Sequence, residues 1–192
     1  MPLTYMSIES WINELVDVRR ELHPIQPGFD SDPVARTMLV SPEVWRLIEG
    51  PWPDAACERR CSALRADLEN FVVGQEITVS VTPFAAGAAD LGLLHPPAAG
   101  VWDFRSRHPK PGLRILGQFA AKDTFVALIP ATRSVAHPFF SRGPLGVGSS
   151  REWRDAIESC KALFRNLFTA FPAIGGDNIH DLLSDESKYS QV

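Results

Sequence analysis

Residues 101–131 constrain this chain more than any other stretch. Three runs of strand character, 101–106, 113–119 and 124–130, follow one another with only short connections. The first two are joined by a turn containing Pro109, Pro111 and Gly112, the last two by Ala120-Ala121-Lys122-Asp123. Connections this short leave no room for a crossover, so the strands must pair antiparallel. Alternation then places Val101, Asp103 and Arg105 on one face of the first strand and Trp102, Phe104 and Ser106 on the other. The aromatic face is expected to meet helices as core. Asp103 and Arg105 are expected to point to an open side, where Arg114 of the second strand joins them. Arg107, His108 and Lys110 crowd the hairpin tip, and Arg133 ends the third strand.

Around this meander the apolar spacing reads mostly as helix. In residues 7–22, Ile8, Trp11, Ile12, Leu15, Val18 and Leu22 share one helical face, with Ser7 as N-cap. Ala35 to Val40 is a short apolar strand. Ser41-Pro42-Glu43 starts a second helix, with a capping hydroxyl, proline at the first helical position and an acid at the positive end of the dipole. A third helix spans about 54–73, and QEITVSVTPF reads as a strand. The stretch AAGAADLGLLHPPAAG is rich in small residues, Gly and Pro and is expected to be loop. Residues 151–171 form an amphipathic helix, 178–183 a helical turn, and a polar tail follows. The order predicts an α+β fold: an antiparallel sheet of three to five strands packed by two helices, with extra N- and C-terminal helices. The expected divisions are an N-terminal helical extension (1–34), an α+β core (35–145) and a C-terminal helix and tail (146–192).

Charge is unevenly distributed. The chain of 192 residues has a net charge of −4. Between Ala98 and Gly143, however, seven Lys and Arg stand against two acids, whereas the remainder carries 12 basic and 21 acidic residues. A basic segment on an acidic body is the footprint of an anionic partner, or else a solvated hairpin whose charges keep an edge from aggregating. Three cysteines are too few for a secreted disulfide framework, no apolar run approaches a membrane span, and the N-terminus lacks the pattern of a signal peptide. The expected setting is a reducing cytoplasm with no membrane partner.

Cations fixed around a phosphate stabilise phosphoryl transfer, and a carboxylate, lysine or histidine can move the proton. Asp103 with Arg105 and Arg114 fits that chemistry, and fits equally a cross-strand salt bridge. Cys57 and Cys61 lie one helical turn apart, yet none of the five histidines has the paired spacing of zinc ligands, so they read as buried structural thiols. GPLGVGSS lacks the lysine of a phosphate-binding loop. His180 and Asp181 are adjacent on a helical turn and point apart.

The segments WDFR, SRHPKPGLRILGQF and AAKDTFVALIPATR resemble the C-terminal meander of the RelE/ParE toxin superfamily, in its HigB-like, phage-derived branch. TMLVSPEVWRLIEG and the helix after it are similar to that family's opening strand and helical pair, so the resemblance spans roughly residues 36–135. It implies a small α+β domain that cleaves mRNA on or off the ribosome. That cleavage needs no metal or cofactor, uses the RNA 2′-hydroxyl as nucleophile, and is held silent by an antitoxin protein. Arg105 and Arg114 match the family's phosphate binders and Arg133 its terminal arginine, with Asp103 beside them as a fourth catalytic candidate. Arg107, His108, Lys110 and Lys122 would bind RNA phosphates. Asp103 stands where ribosome-dependent members often carry lysine, and Thr132 where the family has the lysine before that terminal arginine. His137 lies near the position of a histidine or tyrosine in some relatives. The alternative reading is a non-catalytic protein on the same scaffold that contacts a protein target.

Overall fold

The structure, a computed structural model, describes residues 6–83, 89–131, 150–176, 178–184 and 189–192. Its centre is the expected meander, β5 (Trp102–Ser106), β6 (Leu113–Ala121) and β7 (Thr124–Ala131). Around it lie β1 (His23–Pro24), β2 (Thr37–Val40), β3 (Ile77–Ser80), β4 (Leu91–Leu93) and β8 (Tyr189–Gln191). Together they form one sheet in the order β1-β2-β7-β6-β5-β4-β3-β8. Pairing is antiparallel from β4 through β7 and at β1–β2. It is parallel at β2–β7, β3–β4 and β3–β8. The expectation of a three- to five-strand antiparallel sheet is therefore corrected: eight strands pair in a mixed sheet. Chain segments on both sides of the meander return to its edges, and the connection from β2 to β7, which holds α2, α3 and β3–β6, is long enough to allow parallel pairing.

The helices begin where the sequence signals them. Ser41 Oγ accepts from Val44 N at 3.2 Å and donates to Leu128 O at 2.7 Å, so one hydroxyl caps α2 (Pro42–Glu49) and ties it to β7. Asp54 accepts from Cys57 N at 2.7 Å to start α3 (Ala55–Val72). The C-terminal end of α3 is held by the buried Arg36, whose guanidinium donates to Phe71 O and Gln75 O and stacks on the Phe71 ring. A cation there meets the negative end of the helix dipole. At the N-terminus the single expected helix is instead α1 (Ile8–Asn13) followed by a π-helical turn, Glu14–Val18.

Both faces of the sheet are covered. On one, α2 and α3 pack with the short α5 (Ile179–Leu182) over Met38, Val79, Trp102, Phe104, Ile115 and Phe119. On the other, α1 with its π turn and α4 (Ser150–Leu167) pack over Leu39, Val101, Leu116, Val126 and Leu128. The second cluster joins Leu15 and Leu22 to Cys160, Phe164 and Phe168, so segments far apart in sequence share one core. This corrects the expected open side: the strand alternation is as read, but the second face is a second core.

Two further expectations change. Within the expected loop 85–100, Leu91–Leu93 forms β4 against β5, and Ala89, Leu91, Leu93 and Leu94 are all buried. The expected polar tail contributes β8, whose place depends on backbone pairing with β3 rather than on an apolar pattern. The pairing of β6 with β7 shifts register at Leu116/Gly117. A Cβ on Gly117 would stand 2.3 Å from Val126 O and 2.6 Å from the Phe125 ring, so only glycine fits.

Candidate functional site

Alternation on β5 and register with β6 bring three of the predicted residues together. Arg105 lies directly opposite Arg114, and both guanidiniums converge on Asp103. Arg105 Nε donates to Asp103 Oδ1 at 2.6 Å, and Arg114 Nη1 donates to Asp103 Oδ2. Asp103 is fully buried, while the Arg105 and Arg114 side chains are 9% and 21% exposed. It pairs in register with Leu116, on the face where α1 and α4 pack. Here the cross-strand salt bridge takes precedence over the open cationic surface. Two like charges placed opposite each other on a covered face need a counter-charge, and Asp103 supplies it.

The remaining predicted residues divide. Arg133 and His137 lie outside the described residues. Arg107 is 39% exposed and pairs with Asp90 Oδ1 at 2.5 Å. His108 and Lys110 are exposed at the hairpin tip, as expected. Lys122 sits in the β6–β7 turn, at the other end of β6. Eight positions on from Arg114, Lys122 is roughly 25 Å along the strand and does not join the group.

At the hairpin end the structure has a cleft of about 570 Å³. Arg105, Arg107 and His108 form one wall, and Asp67 and Asn70 of α3 with Gln75 and Glu76 form the other. Asp90 also lines the cleft and ties its surroundings together. Its Oδ2 accepts from Thr78 N at 2.9 Å and from Thr78 Oγ1 at 2.8 Å, its Oδ1 holds Arg107, and its carbonyl accepts from Arg105 N at 2.8 Å. One residue thus fixes the start of β3, the end of β5 and one cation of the cleft.

Asp67 is half-buried, and burial pushes its carboxyl above the ordinary aspartate range. The negative charge of Asp90 adds to that shift, while Ser106, Arg107 and His108 oppose it. The cleft therefore combines a carboxyl biased toward its protonated form, an imidazole and two guanidiniums. A proton donor, a proton acceptor and phosphate-binding forks are the groups that metal-free phosphoryl transfer uses.

Sequence reasoning missed Asp67 and Asp90. Asp67 falls among the polar positions of α3 with no mark to separate it from Glu58 or Glu69. Asp90 lies in the stretch read as loop, and only the β3–β4 register brings it to Thr78. Cys57 and Cys61 are buried with sulfurs 3.7 Å apart, in keeping with their reading as core thiols. Among the described residues no group of three His, Cys, Asp or Glu is placed to hold a metal ion. His180 Nδ1 meets the Tyr189 hydroxyl at 3.1 Å on the surface, a contact rather than a catalytic pair with Asp181. No helix among the described residues is long and apolar enough to cross a membrane.

No protein-family model, no curated protein and no solved structure matches the chain. The reading of its function therefore rests on the cleft and on the residues that line it.

Proposed function

We propose that this chain is a toxin-type endoribonuclease that cleaves mRNA without a metal through the RNA 2′-hydroxyl, with its working groups in the hairpin-end cleft. In this reading β2, α2, α3 and the meander are the RelE/ParE-like part, and the other strands and helices are additions to it. The supporting observation is that Asp67, His108, Arg105 and Arg107 all line one opening. The His108 imidazole takes the 2′-hydroxyl proton. The Asp67 carboxyl, whose pKa burial raises, is assigned the proton donation to the leaving 5′-oxygen. Arg107 and Arg105 hold the phosphate and its developing charge. Arg114 and Asp103 set the position of Arg105 from behind. The exposed His108 and Lys110 at the tip face the RNA strand, and an antitoxin protein in the same cytoplasm would silence the site by covering it.

The test is incubation of the purified chain with RNA, followed by mass analysis of the ends. Cleavage leaving 2′,3′-cyclic phosphates and 5′-hydroxyls, lost in His108→Ala and reduced at least tenfold in Asp67→Asn, is the expected result. Intact RNA with the wild-type chain, alone and with ribosomes, refutes it.

The structure also favours a second reading at one point. Because Asp103 binds both Arg105 and Arg114, two of the expected phosphate binders are engaged within the chain itself. That suits a non-catalytic member that contacts a protein target through the exposed tip. Growth arrest with intact mRNA on induced expression in a bacterium would select this reading.

A further inference from the structure

The two walls of the cleft differ in what they can bind. The hairpin wall is cationic, with Arg107 fixed by Asp90 and Arg105 by Asp103. The helix wall has the opposite character: Asp67, Asn70, Gln75 and Glu76 bring carboxyl and carboxamide groups. Asn70, Gln75 and Glu76 are exposed, and their side chains form no hydrogen bond or ion pair among the described residues. A phosphate cannot occupy this wall, because its carboxylates repel it. What fits is a flat group rich in hydrogen-bond donors, attached to an anion that lies against the hairpin. At about 570 Å³ the cleft has the size of a small-ligand site.

Resting on the ribonuclease reading, we propose that the helix wall reads the base next to the scissile phosphate and selects guanine. Guanine alone among the RNA bases places two donors, N1–H and the N2 amino group, side by side on its Watson–Crick edge. That pair matches the two oxygens of one carboxylate, which the Glu76 side chain supplies. The Asn70 and Gln75 carboxamides can donate to guanine O6 and N7. Adenine and cytosine each set a single amino donor beside an acceptor, and uracil sets one imino donor between two acceptors. Against a carboxylate each of these places lone pair against lone pair. Single-stranded RNA exposes that edge to a protein, so recognition needs no duplex opening.

The experiment titrates the full chain by calorimetry with the 3′-monophosphates of guanosine, inosine, adenosine, cytidine and uridine. In parallel, it follows cleavage of four oligoribonucleotides that differ at one base. Guanosine 3′-monophosphate should bind about tenfold or more tightly than the adenosine, cytidine and uridine forms, with inosine, which lacks the N2 amino group, in between. The exposed Glu76→Gln variant should fold normally by circular dichroism and lose that preference while keeping its phosphate-dependent binding. Equal affinity for all the monophosphates, or cleavage with no base preference, overturns the guanine assignment and leaves the ribonuclease reading in place. Guanosine-selective binding without cleavage keeps the base site and removes the ribonuclease. Neither binding nor cleavage overturns both. A guanosine preference that survives in Glu76→Gln overturns the assignment to this wall.

Discussion

The buried carboxylate on β5 offers the most direct test of how this sheet is held together. Asp103→Asn removes one negative charge and leaves two guanidiniums facing each other across β5 and β6, with Arg105 only 9% and Arg114 only 21% exposed. Breaking a buried ion pair from one side typically costs about 3–5 kcal/mol, because the partner that stays behind loses the charge that offset its lost hydration. Against a total domain stability of about 5–15 kcal/mol, that is a large fraction. Measured by urea unfolding with a slope of about 2–3 kcal/mol/M, the midpoint should fall by about 1–2.5 M. Replacing the whole network by Asp103→Leu with Arg105→Met and Arg114→Met should recover most of the loss, since apolar groups of similar volume often substitute for a buried ion network at little cost. A loss under about 1 kcal/mol in Asp103→Asn would mean that water or another group already compensates the arginines, and the account of this face given above would be wrong. A large loss in Asp103→Asn that persists in the triple variant would place the effect in packing rather than charge.

Three other predictions follow from named contacts. Asp67 has its carboxyl raised in the folded chain by burial, so its contribution to stability is fully present below the unfolded aspartate value of about 3.9 and is lost as pH rises through the folded value. Asp67→Asn should therefore match or exceed the wild-type stability at pH 7 and lose that advantage toward pH 4, which paired denaturation curves at the two pH values would show. All three cysteines are buried, and burial pushes Cys61 and Cys160 up to about 12, so the native chain should not react with a thiol-specific disulfide reagent until it unfolds. Prompt release of even one equivalent of chromophore from the native chain would contradict that burial. Gly117→Ala forces a methyl group onto Val126 O and the Phe125 ring, and should cost about 1–3 kcal/mol or prevent folding, read from the melting transition and soluble yield.

Much of the core was legible because it follows local rules. The period-2 alternation of β5 and β6 correctly divides Trp102, Phe104 and Ile115 from Asp103, Arg105 and Arg114, since a pleated strand allows no other arrangement. Ser41 caps the helix it was read to cap because a short polar side chain before an apolar run has a local partner three residues ahead. What alternation cannot give is which of two faces stays open. That depends on whether α4, which begins only at Ser150 after β7 ends at Ala131, returns to pack on it. The amphipathic spacing of Trp153, Ile157, Cys160 and Phe164 showed that α4 needed an apolar surface but did not name the surface. β4 and β8 were illegible for a related reason. Each is only three residues long, too short for its alternation to be read from the sequence.

The same distinction explains why the site moved. Arg105, Arg114 and Asp103 were grouped correctly by register, but a group of charges is a site only if solvent and ligand reach it. Once α1 and α4 cover that face, the Asp103 carboxylate is drawn inward to neutralise the cations, and the triad becomes a fixed support. The groups proposed to react lie instead where the sheet ends. There β5 runs out at Ser106, the chain turns through Arg107 and His108, and the last turns of α3 bring Asp67 and Asn70 to the same opening. Arg105 is the residue common to both, anchored by Asp103 on one side and lining the cleft on the other. If the support controls the cleft, Arg114→Ala should leave Asp103 bound to Arg105 alone and change the hold on phosphate without touching Asp67 or His108. Weaker binding of nucleoside 3′-monophosphates with an unchanged pH dependence of cleavage is the outcome that arrangement requires. A shifted pH dependence would instead place Arg114 within reach of the proton-transferring groups.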